Sequence, residues 1–117
     1  MVGVIDFELA RPGDPLEDAG FAVIRAAQLR PDEMTRPVGF AAPPDRAARL
    51  AAFADGFGAS PAALAQAALQ AQYAEIERIT ERGHAGVEPW ATFLRRGLRE
   101  TAQGELAWLA ANLGGLL

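Results

Sequence analysis

Val2-Gly3-Val4-Ile5-Asp6-Phe7-Glu8, and after it Gly13-Asp14-Pro15-Leu16-Glu17-Asp18-Ala19, is the stretch on which the reading of the fold turns. Val2 to Phe7 is a brief β-branched run that ends in turn chemistry, which predicts a buried strand rather than a helix. Arg11-Pro12-Gly13-Asp14-Pro15 is the turn. Proline fixes φ there, glycine permits positive φ, and an Asp side chain can accept from nearby amides. Asp14 and Pro15 have the form of an N-cap and a first helical residue. The helix they open runs from Leu16 to about Leu29. Leu16, Ala19, Gly20, Phe21, Val23, Ile24 and Ala27 cover much of its surface with apolar groups, so it should be central. Gly20 costs about 1 kcal/mol against Ala inside a helix, and therefore marks a close helix–strand or helix–helix contact.

Further along, Arg30 to Pro44 carries four prolines and a glycine and reads as a loop, with Met34, Val38 and Phe40 tucked onto the surface. A second helix spans about Asp45 to Phe57, with Leu50, Ala54 and Phe53/Phe57 on one side and Gly58 as its stop. Ser60-Pro61 opens a third by cap and proline. It runs to about Arg82 on the stripe Leu64, Ala68, Ala71, Glu75/Ile76 and Ile79, with Gly83 as the stop. Glu88-Pro89 opens a fourth, from Pro89 to about Asn112, closed by Gly114-Gly115. The expectation is one domain over residues 1–117, mainly α, with one N-terminal strand followed by about four helices. A lone strand cannot satisfy its ladder hydrogen bonds. It needs a partner from another copy or from a longer chain.

Composition narrows the function classes. Half of the 117 residues are apolar, enough for a packed core. The net charge of −4 opposes binding to nucleic acid or an anionic membrane. No cysteine means no disulfide framework, thiolate metal site or cysteine nucleophile. No apolar stretch approaches the roughly 18 residues of a spanning helix, and the first residues lack the basic start of a signal peptide. The expected location is cytoplasmic. All 11 basic residues are arginine, and this lysine-free, alanine-rich usage fits a high-GC bacterial genome.

Asp6 is where chemistry enters. A carboxylate at the end of a buried apolar strand is costly unless it meets a cation or strong donors. Glu8 falls on the same face if the strand continues. Such a pair suits Mg²⁺, which takes one or two carboxylates and completes its shell with water and phosphate oxygens. Equally, Asp6 could cap or salt-bridge the turn that contains Arg11.

The same residues resemble the signature of the aminoglycoside phosphotransferase and choline kinase superfamily, small-molecule kinases with a protein-kinase-like fold. The pattern there is a hydrophobic strand, I-D-[FW]-[ED], then G-D-P-x-x-D-[LI]-A leading into a helix. The resemblance implies that the fold is the C-terminal helical subdomain of that kinase fold. It implies that Asp6 matches the Asp of the D-F-G motif, binding the Mg²⁺ that bridges the ATP phosphates, with Glu8 a weaker accessory. Asp14 and Asp18 would be structural carboxylates near that site, Asp18 buried and bonded to backbone. Asp18-Ala19-Gly20 stands where the family has D-L-A, a mild departure. The tail Gly104-Glu105-Leu106-Ala107-Trp108-Leu109 also looks like the last helix of many bacterial members.

Other parts of such a kinase have no counterpart. A Gly-rich loop, a strand lysine and a catalytic H-x-D-x-x-x-x-N loop are needed. The chain has no lysine, and its one histidine, His84, is followed by Ala85-Gly86. The expectation is a C-terminal part of a kinase, inactive alone, whose partners are a hydroxyl-bearing small molecule and a complementary N-terminal part. The alternative is a stand-alone, non-catalytic helical module, dimeric through its N-terminal strand.

The remaining polar residues read as structure first. His84 lies in a turn and is solvated. Trp90 and Trp108 fall on nearly one face of a single helix and serve packing. Arg95, Arg96 and Arg99 form a solvated face balanced by Glu100 and Glu105. Glu75, Glu77 and Glu81 form a polar face beside Arg78 and Arg82, or reach a substrate amine as the resemblance implies. Asp55 and Glu33 have no assigned role.

Overall fold

The computed structural model describes residues 15–117. The chain runs α1 (Pro15–Ala26), α2 (Asp32–Thr35), a 3₁₀ turn (Arg36–Val38), α3 (Arg46–Phe57), α4 (Pro61–His84), α5 (Trp90–Arg95) and α6 (Leu98–Leu116). Among the described residues there are thus six helices and no strand. One strand followed by about four helices is not the architecture found. The expected strand, Val2–Phe7, lies outside the described residues, as does its pairing. No helix among the described residues is long and apolar enough to cross a membrane.

The helix starts follow local chemistry. Asp45 accepts from the Ala48 amide (3.1 Å) at the head of α3, and Ser60 accepts from the Ala63 amide (3.1 Å) at the head of α4, with Pro61 at its first position. Each cap satisfies an amide that the first turn leaves without an intrahelical acceptor. The helix ends depart more from expectation. α1 stops at Ala26, because Gln28 turns into the left-handed region at φ 55°. Leu29 then donates to the Ile24 carbonyl (2.9 Å) and Gln28 to that of Arg25 (3.4 Å), a Schellman ending without glycine.

α4, 24 residues long, is the spine. α1 packs most extensively on it, followed by α5 and α6. The α1–α4 contact is made at Gly20. A Cβ there would lie 2.6 Å from the Ala67 carbonyl carbon, closer than real side chains come, and 3.1 Å from the Ala67 Cβ. The close contact predicted at Gly20 is therefore helix against helix. Around it the core is built of alanines, Ala19, Ala65, Ala68 and Ala71, spaced by Val23, Leu29, Leu50, Leu64 and Leu109, which are fully buried. Each buried leucine contributes roughly 1.5–3 kcal/mol, while the alanines chiefly let the helix axes approach.

The glycines of the second half do not all act as expected. Gly83 does not end α4. It lies inside the helix, and a Cβ there would meet Leu94 Cβ at 2.9 Å and the Trp90 carbonyl oxygen at 3.0 Å. The stop is Gly86, at φ 77°. The single helix expected over Pro89–Asn112 is broken at Gly97, also at φ 77°, into α5 and α6, and α6 continues through Gly114-Gly115 to Leu116. Trp90 and Trp108 consequently sit on different helices. Arg82 stacks over Trp90 (4.6 Å) and Arg46 over Trp108 (4.7 Å). The region expected to be loop contains α2 and the 3₁₀ turn, with Thr35 buried and Val38 exposed.

Arg46 ties three elements together. Its Nε donates to the Gln28 carbonyl, and its Nη2 to the Arg30 carbonyl and to Asp32 Oδ1, all at 2.7 Å. Arg49 adds a bond to the Ala26 carbonyl (3.3 Å). Carbonyls at the end of α1 that lack intrahelical donors are thus served by cations, which the helix dipole also favours there.

Two sets of variants check this packing by urea unfolding. Gly20→Ala should lose about 1–3 kcal/mol through overpacking against Ala67, whereas Gly104→Ala, where a Cβ meets open space, should gain about 0.5–1 kcal/mol. Arg46→Lys keeps the charge but not the planar fork, and should cost about 1.5–3 kcal/mol.

Candidate functional site

Asp6, Glu8 and Asp14, with Arg11, lie outside the described residues. Asp18 is exposed in the first turn of α1, beside Glu17, not buried as the resemblance implies. A carboxylate in a first turn already meets the positive end of the helix and needs no burial to be useful. No group of three or more Asp, Glu or His side chains gathers as a metal-ligand set among the described residues.

What the described residues do assemble is a cavity of about 290 Å³ between α1, α4 and α6. Its floor is apolar: Ile24 from α1, Ile79 from α4 and Ala102 from α6 are buried there, with Phe21 and Leu98 at the sides. Charge is arranged around that floor by element. The end of α1 and the turn after it supply Arg25 and Arg30, α4 supplies Gln72 and Glu75, and α6 supplies Glu105. This is the mixture of apolar wall and few convergent polar groups that small-molecule sites use.

Of the five polar side chains that line the cavity, Arg30, Gln72, Glu75 and Glu105 are each held by a neighbour. Gln28, locked in its left-handed conformation, donates from Nε2 to the Arg25 carbonyl (2.6 Å). Its Oε1 accepts from Arg30 Nε (3.3 Å) and Nη2 (3.1 Å). A non-glycine residue at positive φ is uncommon. Here its side chain fixes the direction of a guanidinium. Gln72, buried in α4, donates to Glu105 Oε2 (3.4 Å). Glu75 is paired with Arg78 (2.8 Å), which also lies over Phe21 (5.8 Å).

Glu105 is the unusual group. Burial pushes its carboxyl above the ordinary range, and the opposing pulls of Arg30, the Gln72 amide and Arg25 offset this only in part. Among the described residues neither Arg25 nor Arg30 closes to an ion pair with it. Two guanidiniums and two carboxylates therefore line one cavity; Glu75 is paired with Arg78, while Glu105 faces Arg25 and Arg30 without closing on either.

The other sequence-derived candidates disperse. His84 is exposed at the end of α4. Glu77 and Glu81 border an open depression with Glu17, Arg78 and Arg82, away from the cavity that Glu75 lines. Arg99 pairs with Glu100 (3.2 Å) and Arg95 with Glu88 (3.5 Å), so the expected balance through Glu105 is absent. Thr92, donating through its hydroxyl (2.8 Å) and amide (3.0 Å), holds the Glu88 carboxyl below the usual range. Asp55 and Glu33 are exposed. Arg25, Arg30, Gln72 and Glu105 escaped notice as a set. The available signal was Gln72, a polar residue beside Ala68 and Ala71 on an otherwise apolar register.

The sign of the Glu105 shift gives a test. A carboxyl whose folded pKa is raised binds protons more readily in the native state, so its ionised form lowers stability at neutral pH. Glu105→Gln should therefore melt at or above the temperature of the parent at pH 7. That difference should shrink as pH falls through the raised pKa and vanish below the ordinary carboxylate range, read from thermal melts across pH.

No family model matches the chain, and no curated protein or solved structure matches it.

Proposed function

We propose that the chain is a C-terminal part of an ATP-dependent small-molecule phosphotransferase, with Asp6 as the Mg²⁺-binding carboxylate and Glu8 as its accessory. The observation that supports this reading is the continuity of the signature with the helix that follows it. Ile5-Asp6-Phe7-Glu8 leads to Gly13-Asp14-Pro15-x-x-Asp18-Ala19, and Pro15 is the first residue of α1, whose Ala19 and Gly20 are buried against α4. In this reading Mg²⁺-ATP supplies the phosphoryl group, and the ion screens the charge on its phosphates. The chain's own part is to present carboxylates and a rigid helical support. The Gly-rich loop, the lysine and the H-x-D-x-x-x-x-N loop come from a complementary part, and the acceptor is a hydroxyl-bearing small molecule rather than a nucleic acid or a membrane. A reaction fed by ATP places the protein in the cytoplasm.

One observation favours a second reading, a non-catalytic helical binding module. The mixed-charge cavity is lined, among the described residues, by side chains of α1, α4, α6 and the turn after α1, and these supply charged groups of both signs on their own.

Titration with Mg²⁺-ATP by calorimetry separates the two. The phosphotransferase reading expects saturable heat that disappears in Asp6→Ala. Absence of binding, or binding unchanged in Asp6→Ala, overturns it in favour of the module. The coding DNA upstream of Met1 gives an independent check, since the same reading expects an in-frame H-x-D-x-x-x-x-N there.

A further inference from the structure

The cavity between α1, α4 and α6 has three properties that together define a ligand. It is small: about 290 Å³ lies at the lower edge of the roughly 300–1,000 Å³ typical of small-molecule sites, which suits a molecule of amino-acid size. Its charges are of both signs, and they are not spent on each other. Arg30 uses Nε and Nη2 on Gln28, and Glu105 accepts a long bond from Gln72, yet guanidinium and carboxylate stay apart. Its floor, Ile24, Ile79 and Ala102, offers no side-chain donor or acceptor.

We propose that this cavity binds an α-amino acid with an apolar side chain as its zwitterion, the carboxylate on Arg25 and Arg30, the ammonium on Glu105 and the side chain on Ile24, Ile79 and Ala102. Guanidinium groups match a carboxylate in a planar, two-bonded geometry. A half-buried carboxylate without an ion pair gains most from a cation brought within bonding distance, because the desolvation of Glu105 has already occurred. A simple anion would answer the arginines and leave Glu105 facing a second negative charge. A simple amine would do the reverse. Arg30 and Glu105 are held in advance by Gln28 and Gln72, so little ordering of these two groups is left for the moment of binding.

This site goes beyond the phosphotransferase reading and does not rest on it. Ten residues of helix, roughly 15 Å, separate Pro15 at the head of α1 from Arg25. An apolar side chain on that floor presents no hydroxyl to phosphorylate, so the ligand is cargo or effector rather than acceptor.

Calorimetric titration of the 117-residue chain with L-leucine tests it. The expected result is saturable binding, weakened tenfold or more for 4-methylpentanoate, which lacks the amine, and for 3-methylbutan-1-amine, which lacks the carboxylate. Arg30→Gln and Glu105→Gln should each weaken L-leucine by a similar factor while circular dichroism stays helical. Should Arg30→Gln fail to fold, the exposed Arg25→Gln carries the same expectation. No saturable heat with L-leucine, equal affinity for either singly charged analogue, or undiminished binding in the folded variants overturns the proposal. The proposal gives Asp6 no role, so loss of Mg²⁺-ATP binding in Asp6→Ala with L-leucine binding intact separates this site from the metal site.

Discussion

The approach of α1 to α4 at Gly20 is the constraint on which the rest depends. With no Cβ at Gly20, the backbone of α1 rests against the Ala67 peptide, nearer than any other residue would allow. Alanines above and below that point, Ala19, Ala65, Ala68 and Ala71, keep the two helices close along their shared length. This choice has a cost in burial, since an alanine removes little apolar surface from water. The larger buried residues, Leu29, Leu50, Leu64 and Leu109, lie around the pair and supply what the alanines do not. Close axes also set the width of the cavity, because Ile24 and Arg25 on α1 and Gln72 and Ile79 on α4 are carried by those same two helices.

Arginine carries a second layer of organisation. Arg46, Arg49, Arg78 and Arg82 each lie over an aromatic ring, on Trp108, Phe40, Phe21 and Trp90 in turn. A planar, weakly hydrated guanidinium can stack and donate sideways at once, which an ammonium cannot. Arg46 does both: it covers Trp108 on α6 while it serves the carbonyls of Gln28 and Arg30 beyond α1. The absence of lysine thus has a structural counterpart. Beside the apolar packing of Leu50 and Ala54, the polar contacts that join α3 to its neighbours use a geometry specific to arginine.

The cavity follows from these two layers. Its floor is ordinary core, and its rim is what the ends and turns of three helices leave near that core. Glu105 illustrates the energetics: burial works against its charge, and the cations opposite are near enough to soften that penalty but not to cancel it. A group left in that condition is common where something else completes the pairing.

Local chemistry alone determined much of this protein. Asp45 and Ser60-Pro61 announce helix starts, and Gly58 announces an end, because capping involves only residues a few positions apart. The glycine at position 20 pointed to a close contact for an equally local reason, its cost inside a helix. The signature around Asp6 is legible in the same way and lies outside the described residues. Tertiary structure decided the remainder. Gly83 reads as a stop but is a packing residue, since Leu94 and Trp90 fold back onto it, and Gly97 divides what reads as one helix from Pro89 to about Asn112. Gln28 takes a conformation that suits glycine, sustained by its bonds to Arg25 and Arg30. Arg25, Gln72 and Glu105 stand far apart in the chain and on three different helical registers. They become one site only because Gly20 lets α1 settle on α4 beside α6, a closeness that no periodicity along a single helix encodes.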